Sequence, residues 1–537
     1  MKLPTIGLAR RLDTKNVILG LSNQSIQQKK EVKPMVFRRK DQHQAQLLSS
    51  NKIYESLIEN DDLFEKILKV FDFSFIYDEV EHLYCADNGR PPEDPVRLYK
   101  STLVQRLKGL SDPEMEYVAR YDIRIKHFLG IPIQDYGFDY STLSRFRTRL
   151  GHERFERIFQ KILAQIVRLG IIKNPKQQYL DSMPVLAHAA LPSVTCLIYQ
   201  GIKNAVNVLD EKLKKQAYEK TDLTDDKLFH SSKAHPLFKM EKAERESAFE
   251  KAVNRAREII YFLESKDYSS KELDLLKQIL NENVNGKNKL IQTEKAIKTL
   301  VDKEAKLGHK TKEDLIFGYK NHAAVTEEGI VTAVETTTAA ERDDKQTEKM
   351  ISKQEEVNLK PDEIDADAAY GFIETFKTAK EKEVKLNAPF RGLDEKELSF
   401  YELEYDKKTN TLTCLNNISV EGYGKNGLRF EFPIRKCRDC PRKERCPLSA
   451  SKRVELHKDH EIAREAIKRQ RKKTEEKRAA KEKGLKTKSR LIIENVFAYL
   501  EKLGGKKTPY VGLGKAAIHV LLVVTISNIM KTVRLLG

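Results

Sequence analysis

Three acidic residues, far apart in the chain, have the types and settings for metal-assisted phosphate chemistry. Asp181 lies in QYLDSMPVLAHA, Asp367 in IDADAAYGF and Glu494 in SRLIIENVFAYL. Each follows or opens an apolar run. The patterns predict strand ends for the first two and a helix for the third. Carboxylates gathered at one spot repel unless a cation joins them. Hard oxygen ligands suit Mg²⁺ or Mn²⁺, which keep waters and bind substrate phosphates. Two such ions about 4 Å apart can activate a water and stabilise the leaving oxygen of a phosphodiester.

A second set of residues has metal-ligand spacing. Of six cysteines, four crowd between 414 and 446. Cys437, Cys440 and Cys446 read Cys-x2-Cys-x5-Cys, and Cys414 precedes them. Such crowding fits metal binding in a reducing compartment better than a disulfide scaffold. Four thiolates close a tetrahedral Zn²⁺ site and leave no position for water, so this site is read as structural. His457 or His460 are alternatives to Cys414, and free thiols in a β-rich segment are the plainer reading. His188, near Asp181, is read as structural.

The chain that must position these groups has 537 residues, with 98 Lys plus Arg against 80 Asp plus Glu, a net charge of +18. That excess makes a polyanion the expected partner. Residues 451–490 carry 16 basic and 7 acidic residues, a net of +9, and lead straight into the third acid. A solvated helix and a phosphate-contacting surface both fit such a run. No signal peptide is evident. The apolar stretch AAIHVLLVVTISNIM is interrupted by His519, Ser527 and Asn528. It is short for a membrane span and is read as a buried core helix. No membrane partner is expected, and the expected location is the cytoplasm, on DNA.

Periodicity organises the rest. Residues 1–50 form a polar, basic arm and 51–170 a helical region. Within that region, DYSTLSRFRTRL has Asp139 or Ser141 as a cap and Leu143, Phe146 and Leu150 as an inner face. Arg145, Arg147 and Arg149 then lie largely off that face, as in a helix that reads DNA or in an ordinary solvated surface. Asp181 is expected to end the first strand of a mixed α/β sheet built from 171–192, 308–395 and 485–537. That sheet includes a hairpin turning at Gly329. A helical insertion fills 193–307, with one stripe at Leu273, Leu276, Leu280 and Val284 and another drawn from Leu290, Ile297, Leu300 and Val301. Residues 396–484 make a β-rich insertion with the cysteines and the basic helix.

These motifs resemble the bacterial insertion-sequence transposases of the DDE class. GRPPEDPVRLYKSTLVQRLKGLSDPEMEYVARYDIRIKHFLGI and DYSTLSRFRTRL are similar to the family's helical domain, which is implied to bind the element's terminal inverted repeats. LDSMPVLAHA resembles the first-Asp motif, FGYKNHAAV the following hairpin, and IDADAAYG the second-Asp motif, which makes Asp367 rather than Asp365 the ligand. The third motif of one large branch reads Tyr-x2-Arg-x3-Glu-x6-Lys. Here Arg490 and Glu494 keep the Arg-x3-Glu part, Thr487 stands at the Tyr position, and Glu501 stands at the Lys position with Lys502 one step on. The resemblance implies an RNase H-like core, two Mg²⁺ or Mn²⁺ ions on Asp181, Asp367 and Glu494, and DNA contacts from Arg490 and Lys502. It also implies cleavage at element ends, strand transfer into target DNA, and at least a homodimer on double-stranded DNA. A related nuclease and a non-catalytic DNA-binding protein are the alternatives.

Overall fold

The computed structural model describes residues 50–84, 92–221, 223–230, 237, 240–291, 293–309, 314–391, 403–424, 428–443, 446–448, 452–482 and 491–537. The basic arm to residue 49, Thr487 and Arg490 lie outside the described residues. The chain divides into two compact units. One holds Met1–Glu65, Asp72–Ser101 and Asp112–Leu150, and the other holds the remainder.

The first unit is helical. Helix α1 (Pro95–Lys108) begins within it, followed by α2 (Asp112–Tyr121) and α3 (Ile123–Leu129). The Asp122 side chain accepts from the N–H groups of Arg124 and Ile125 and so caps α3, while Gly130 closes it in the left-handed region at φ 65°. Helix α4 (Ser141–Arg168) is two helices joined at Gly151, whose φ of 71° and ψ of 167° are not helical. Asp139 accepts from Ser141 at its start (2.9 Å), and Leu143, Phe146 and Leu150 are buried.

The second unit is built on one six-stranded sheet. Strands β1 (Gln177–Leu186), β2 (Lys306–His309), β3 (Leu315–Thr326), β4 (Val331–Thr338), β5 (Glu363–Ala366) and β6 (Lys385–Asn387) are ordered β2-β3-β1-β5-β6, with β4 also on β3. β1, β3 and β4 are antiparallel, whereas β5 and β6 join in parallel. An antiparallel meander continued by parallel strands, with helices beside it, is an RNase H-like α/β core. The β3–β4 hairpin turns at Gly329, φ 82°. β1 does not end at Asp181. It runs on to Leu186 because β3 keeps pairing with it, and only the β5 ladder stops at Leu180.

Between β1 and β2 lie α5 (Val194–Asn207), α6 (Glu211–Lys220), α7 (Lys242–Glu264) and α8 (Lys271–Asn283). Ser193, Asp210 and Ser270 cap α5, α6 and α8 through side-chain bonds to backbone N–H groups. Leu273, Leu276, Leu280 and Val284 are all buried in a core that these helices share. The second expected stripe does not form. The Asn285 side chain accepts from the N–H groups of Lys287 and Lys289, which stabilises a turn in place of a helix. Leu290 is 46 % and Val301 63 % exposed, while Ile297 joins the shared core.

Helices α9 (Thr347–Glu356) and α10 (Ile373–Glu381) follow β4 and β5. Then come a three-stranded sheet of β7 (Glu404–Asp406), β8 (Thr411–Thr413) and β9 (Ser419–Glu421), and the pair β10 (Arg429–Glu431) and β11 (Arg453–Glu455). The chain ends with α11 (His460–Glu482), α12 (Leu491–Lys502) and α13 (Leu513–Leu536). α13 is long enough to cross a bilayer, but 94% of its most apolar window is buried inside the protein. Asn528 and His519 find polar partners there. The Asn528 amide accepts from Val331 N (2.9 Å) and donates to Val331 O (2.8 Å), and His519 Nε2 lies 3.1 Å from Gly504 O. Burial against the sheet therefore accounts for its apolarity.

Candidate active site

The parallel ladder between β1 and β5 pairs Tyr179 with Asp365 and Leu180 with Ala366. One further step brings Asp181 beside Asp367, because Asp367 continues in extended backbone. Side chains alternate along a strand, so Tyr179 and Asp181 share a face, as do Glu363, Asp365 and Asp367. Asp181, Asp365 and Asp367 line one cavity of about 250 Å³, with Gln470, Lys473 and Thr474 of α11 on its wall.

Each paired acid is held by backbone. Asp181 accepts from Ser182 N at 2.8 Å, and Asp367 accepts from Ala369 N at 2.8 Å as the cap of the turn Ala368–Tyr370. Tyr370 is fully buried close by. Burial, and then the negative field of Asp343, Asp181 and Asp367, pushes its hydroxyl well above the ordinary tyrosine range, so it stays a neutral phenol. His322, on β3 at the position facing Ser182, lies 3.4 Å from the Tyr370 hydroxyl and 3.0 Å from Thr337 Oγ1. Burial lowers its pKa to about 4, so it brings no positive charge to the acids at neutral pH. Asp343 accepts from Ser182 Oγ at 2.7 Å and pairs with Lys320 Nζ at 2.9 Å.

Asp365 has a different setting. Lys473 Nζ stands 2.5 Å from its Oδ1, and Asn387 Nδ2 donates to the same oxygen at 3.0 Å. Burial acts to raise the Glu363 carboxyl, but Lys473 and Asn387 outweigh it and hold the group below its usual range. Lys473 is itself raised, because its bonds to the two acids outweigh burial.

Glu494 lies in the first turn of α12 with an exposed side chain, next to Ile493, which is buried and lines the cavity. The structure therefore brings Asp181 and Asp367 together and places Glu494 on the adjoining helix. Among the described residues, no group of three His, Cys, Asp or Glu side chains is arranged to hold a metal as it stands. Lys502 is exposed in the last turn of α12.

The four cysteines line a separate small cavity of about 20 Å³, space for a single ion or water. Cys414 follows β8, Cys437 lies in the short helix Ile434–Arg438, and Cys440 and Cys446 follow it. Burial raises the Cys437 thiol, partly offset by Lys452. His460 is buried and lies 3.5 Å from Leu403 O, and His457 Nδ1 lies 3.2 Å from Asp459 N. Neither histidine lines the thiol cavity.

The three expected arginines of the helical unit separate. Arg147 is buried, and its guanidinium is spent on both carboxylate oxygens of Asp112 rather than offered to a ligand. Arg145 is exposed and bonds to Ser141, while Arg149 is exposed and stacks over the Tyr84 ring at 4.7 Å.

A family model described as a transposase domain (DUF772) matches residues 52–149, and one described as a transposase DDE domain matches residues 288–529. The chain belongs to the insertion-sequence transposases of the DDE class. No curated protein and no solved structure matches it. The DDE match contains Asp367 and Glu494 of the transposase, whereas Asp181 precedes it across the helical insertion. Reading the sequence alone missed Lys473, hidden in a long basic run, and Asn387. The spacing of Gln470, Lys473 and Thr474 marks one helix face and was the available signal.

Proposed function

We propose that this transposase cuts DNA at the ends of its element and joins the freed 3′-hydroxyl to target DNA. Asp181, Asp367 and Glu494 would hold two Mg²⁺ or Mn²⁺ ions. Such a pair supplies an activated oxygen nucleophile and stabilises the departing oxygen of a phosphodiester. The chain's own part is to set both carboxylates by backbone bonds, to roof the cleft with the basic helix α11, and to align strand and nucleophile. Water is the nucleophile in the first step and the 3′-hydroxyl in the second, so no covalent protein intermediate is needed. The observation that carries this reading is the juxtaposition of Asp181 and Asp367 at the end of the β1–β5 ladder, facing one cavity.

The helical unit would bind the terminal inverted repeats, with Arg145 and Arg149 among its exposed cations. At least two protomers would pair the ends, acting on DNA in the cytoplasm. Cys414, Cys437, Cys440 and Cys446 would hold a structural Zn²⁺, a role supported by their shared cavity. Metal analysis should find one zinc per chain, lost in Cys437→Ser; a zinc-free wild type sinks that assignment.

The deciding test is cleavage and joining on a plasmid carrying the gene with its native flanks. Asp181→Asn should abolish both steps and leave binding to the flanks nearly intact. Full cleavage by that variant would remove Asp181 from the chemistry. Metal-dependent cuts without joined products would point to a nuclease.

A further inference from the structure

Glu363 and Asp365 stand on one face of β5, and Asp367 follows the strand in extended backbone two residues on, with Asp181 beside it. A divalent ion entering this cleft meets three carboxylates, Asp181, Asp365 and Asp367, with Glu363 next to them on the strand, and nothing in strand geometry tells it to choose Asp181 and Asp367. Lys473 breaks that degeneracy. Its Nζ lies 2.5 Å from Asp365 Oδ1 and also contacts Glu363 Oε1. Asn387, paired with Asp365 in the β5–β6 register, donates to the same two oxygens at 2.7 and 3.0 Å. A cation and an amide thus occupy the oxygens that a metal would otherwise seek.

The lysine is held in place by its helix. Ala466 and Ile462 of α11 pack into the apolar cluster that includes Ile364, Phe376 and Leu386. One turn before Lys473, Arg469 reaches the Leu386 carbonyl at 3.5 Å on the edge strand β6. Lys380 of α10 pairs with Glu465 at 2.9 Å. Lys473 is therefore delivered to the acids by packing of its own helix, and its side chain is only 29% exposed.

We infer that Lys473 is a positioning residue of the catalytic centre: by neutralising Glu363 and Asp365 it reserves divalent metal for Asp181 and Asp367. This rests on the metal-dependent reading above. Removing the lysine charge should make the cleft more negative, so metal binds more tightly but in the wrong place.

The test follows Mn²⁺ binding to the full chain by electron paramagnetic resonance, beside cleavage of the flank-bearing plasmid. Lys473→Gln should bind Mn²⁺ several-fold more tightly, or bind an additional ion, while cleavage falls by about 10–100-fold, the usual effect of removing a partner that orients a metal site. Lys473→Arg should stay near wild type. Adding Asp365→Asn to Lys473→Gln should return Mn²⁺ binding to the wild-type level and recover much of the lost cleavage, a result that a folding defect would not give. Mn²⁺ binding weakened by Asp181→Asn but unchanged by Lys473→Gln overturns the Lys473 assignment alone. Mn²⁺ binding that Asp181→Asn leaves unchanged removes the three-acid reading, and this inference falls with it.

Discussion

Residues of one type do different work here, and their partners say which. Asp367 is bonded by a backbone N–H in a turn, whereas Asp365, two residues earlier on the same face, is engaged by Lys473 and Asn387. The arginines of α4 divide in the same way. Arg147→Ala should destabilise the chain by about 2 kcal/mol, because it strands the Asp112 carboxylate in a partly buried pair. Arg145→Ala and Arg149→Ala should change stability little and weaken binding to the flanking DNA several-fold. Urea unfolding and gel-shift titration on the same three variants check this. An Arg147→Ala protein as stable as wild type would show that the pair contributes nothing.

At the scale of elements, the acids depend on how closely backbone segments approach. The turn after Asp367 ends at Gly371, where an added Cβ would meet the Pro389 carbonyl oxygen at 1.7 Å and its carbon at 2.7 Å. Both are backbone atoms, so the turn itself must shift. The Arg391 N–H donating to the Gly371 carbonyl at 3.0 Å ties the same two segments together. Gly371→Ala should cost about 1–3 kcal/mol, as forced overpacking does, and lower cleavage more than tenfold by moving Asp367. Unchanged melting and cleavage would mean that the turn yields freely.

Across the whole molecule, buried histidines tie stability to pH. Burial lowers His322 and His460 to about 4 and His519 to about 3. An unfolded chain takes up these protons below about pH 6.5, but the folded chain refuses them until far lower. Their stabilisation is therefore complete above pH 6.5 and declines as pH falls toward 4. Glu335 acts in the same direction. Burial opposes its charge, yet Lys353 and Lys349 hold its pKa below the ordinary value. Stability should fall by several kcal/mol between pH 7 and 5, at up to about 1.4 kcal/mol per pH unit for each histidine. His460→Gln should flatten the slope. Urea midpoints that stay level over this range would overturn the assignment.

Much of this architecture is written locally. The hairpin at Gly329, the capped helix over Leu143, Phe146 and Leu150, and the stripe from Leu273 to Val284 each follow from neighbouring residues, because periodicity and turn chemistry act over a few positions. Local signals also set their own limits. A helical stripe through Leu290 and Val301 was plausible until the Asn285 turn broke it, and Asp181 looked like a strand end until β3 carried β1 onward. What no local pattern contains is which charges meet. Lys473 looks like its neighbours in a basic run, and Arg147 looks like Arg145 and Arg149. Packing of α11 against the β6 edge brings Lys473 to Asp365, and Asp112, 35 positions away, claims Arg147. Charge pairing is a property of distances in space, and those distances are set when apolar faces are buried, so it becomes readable once the chain has folded.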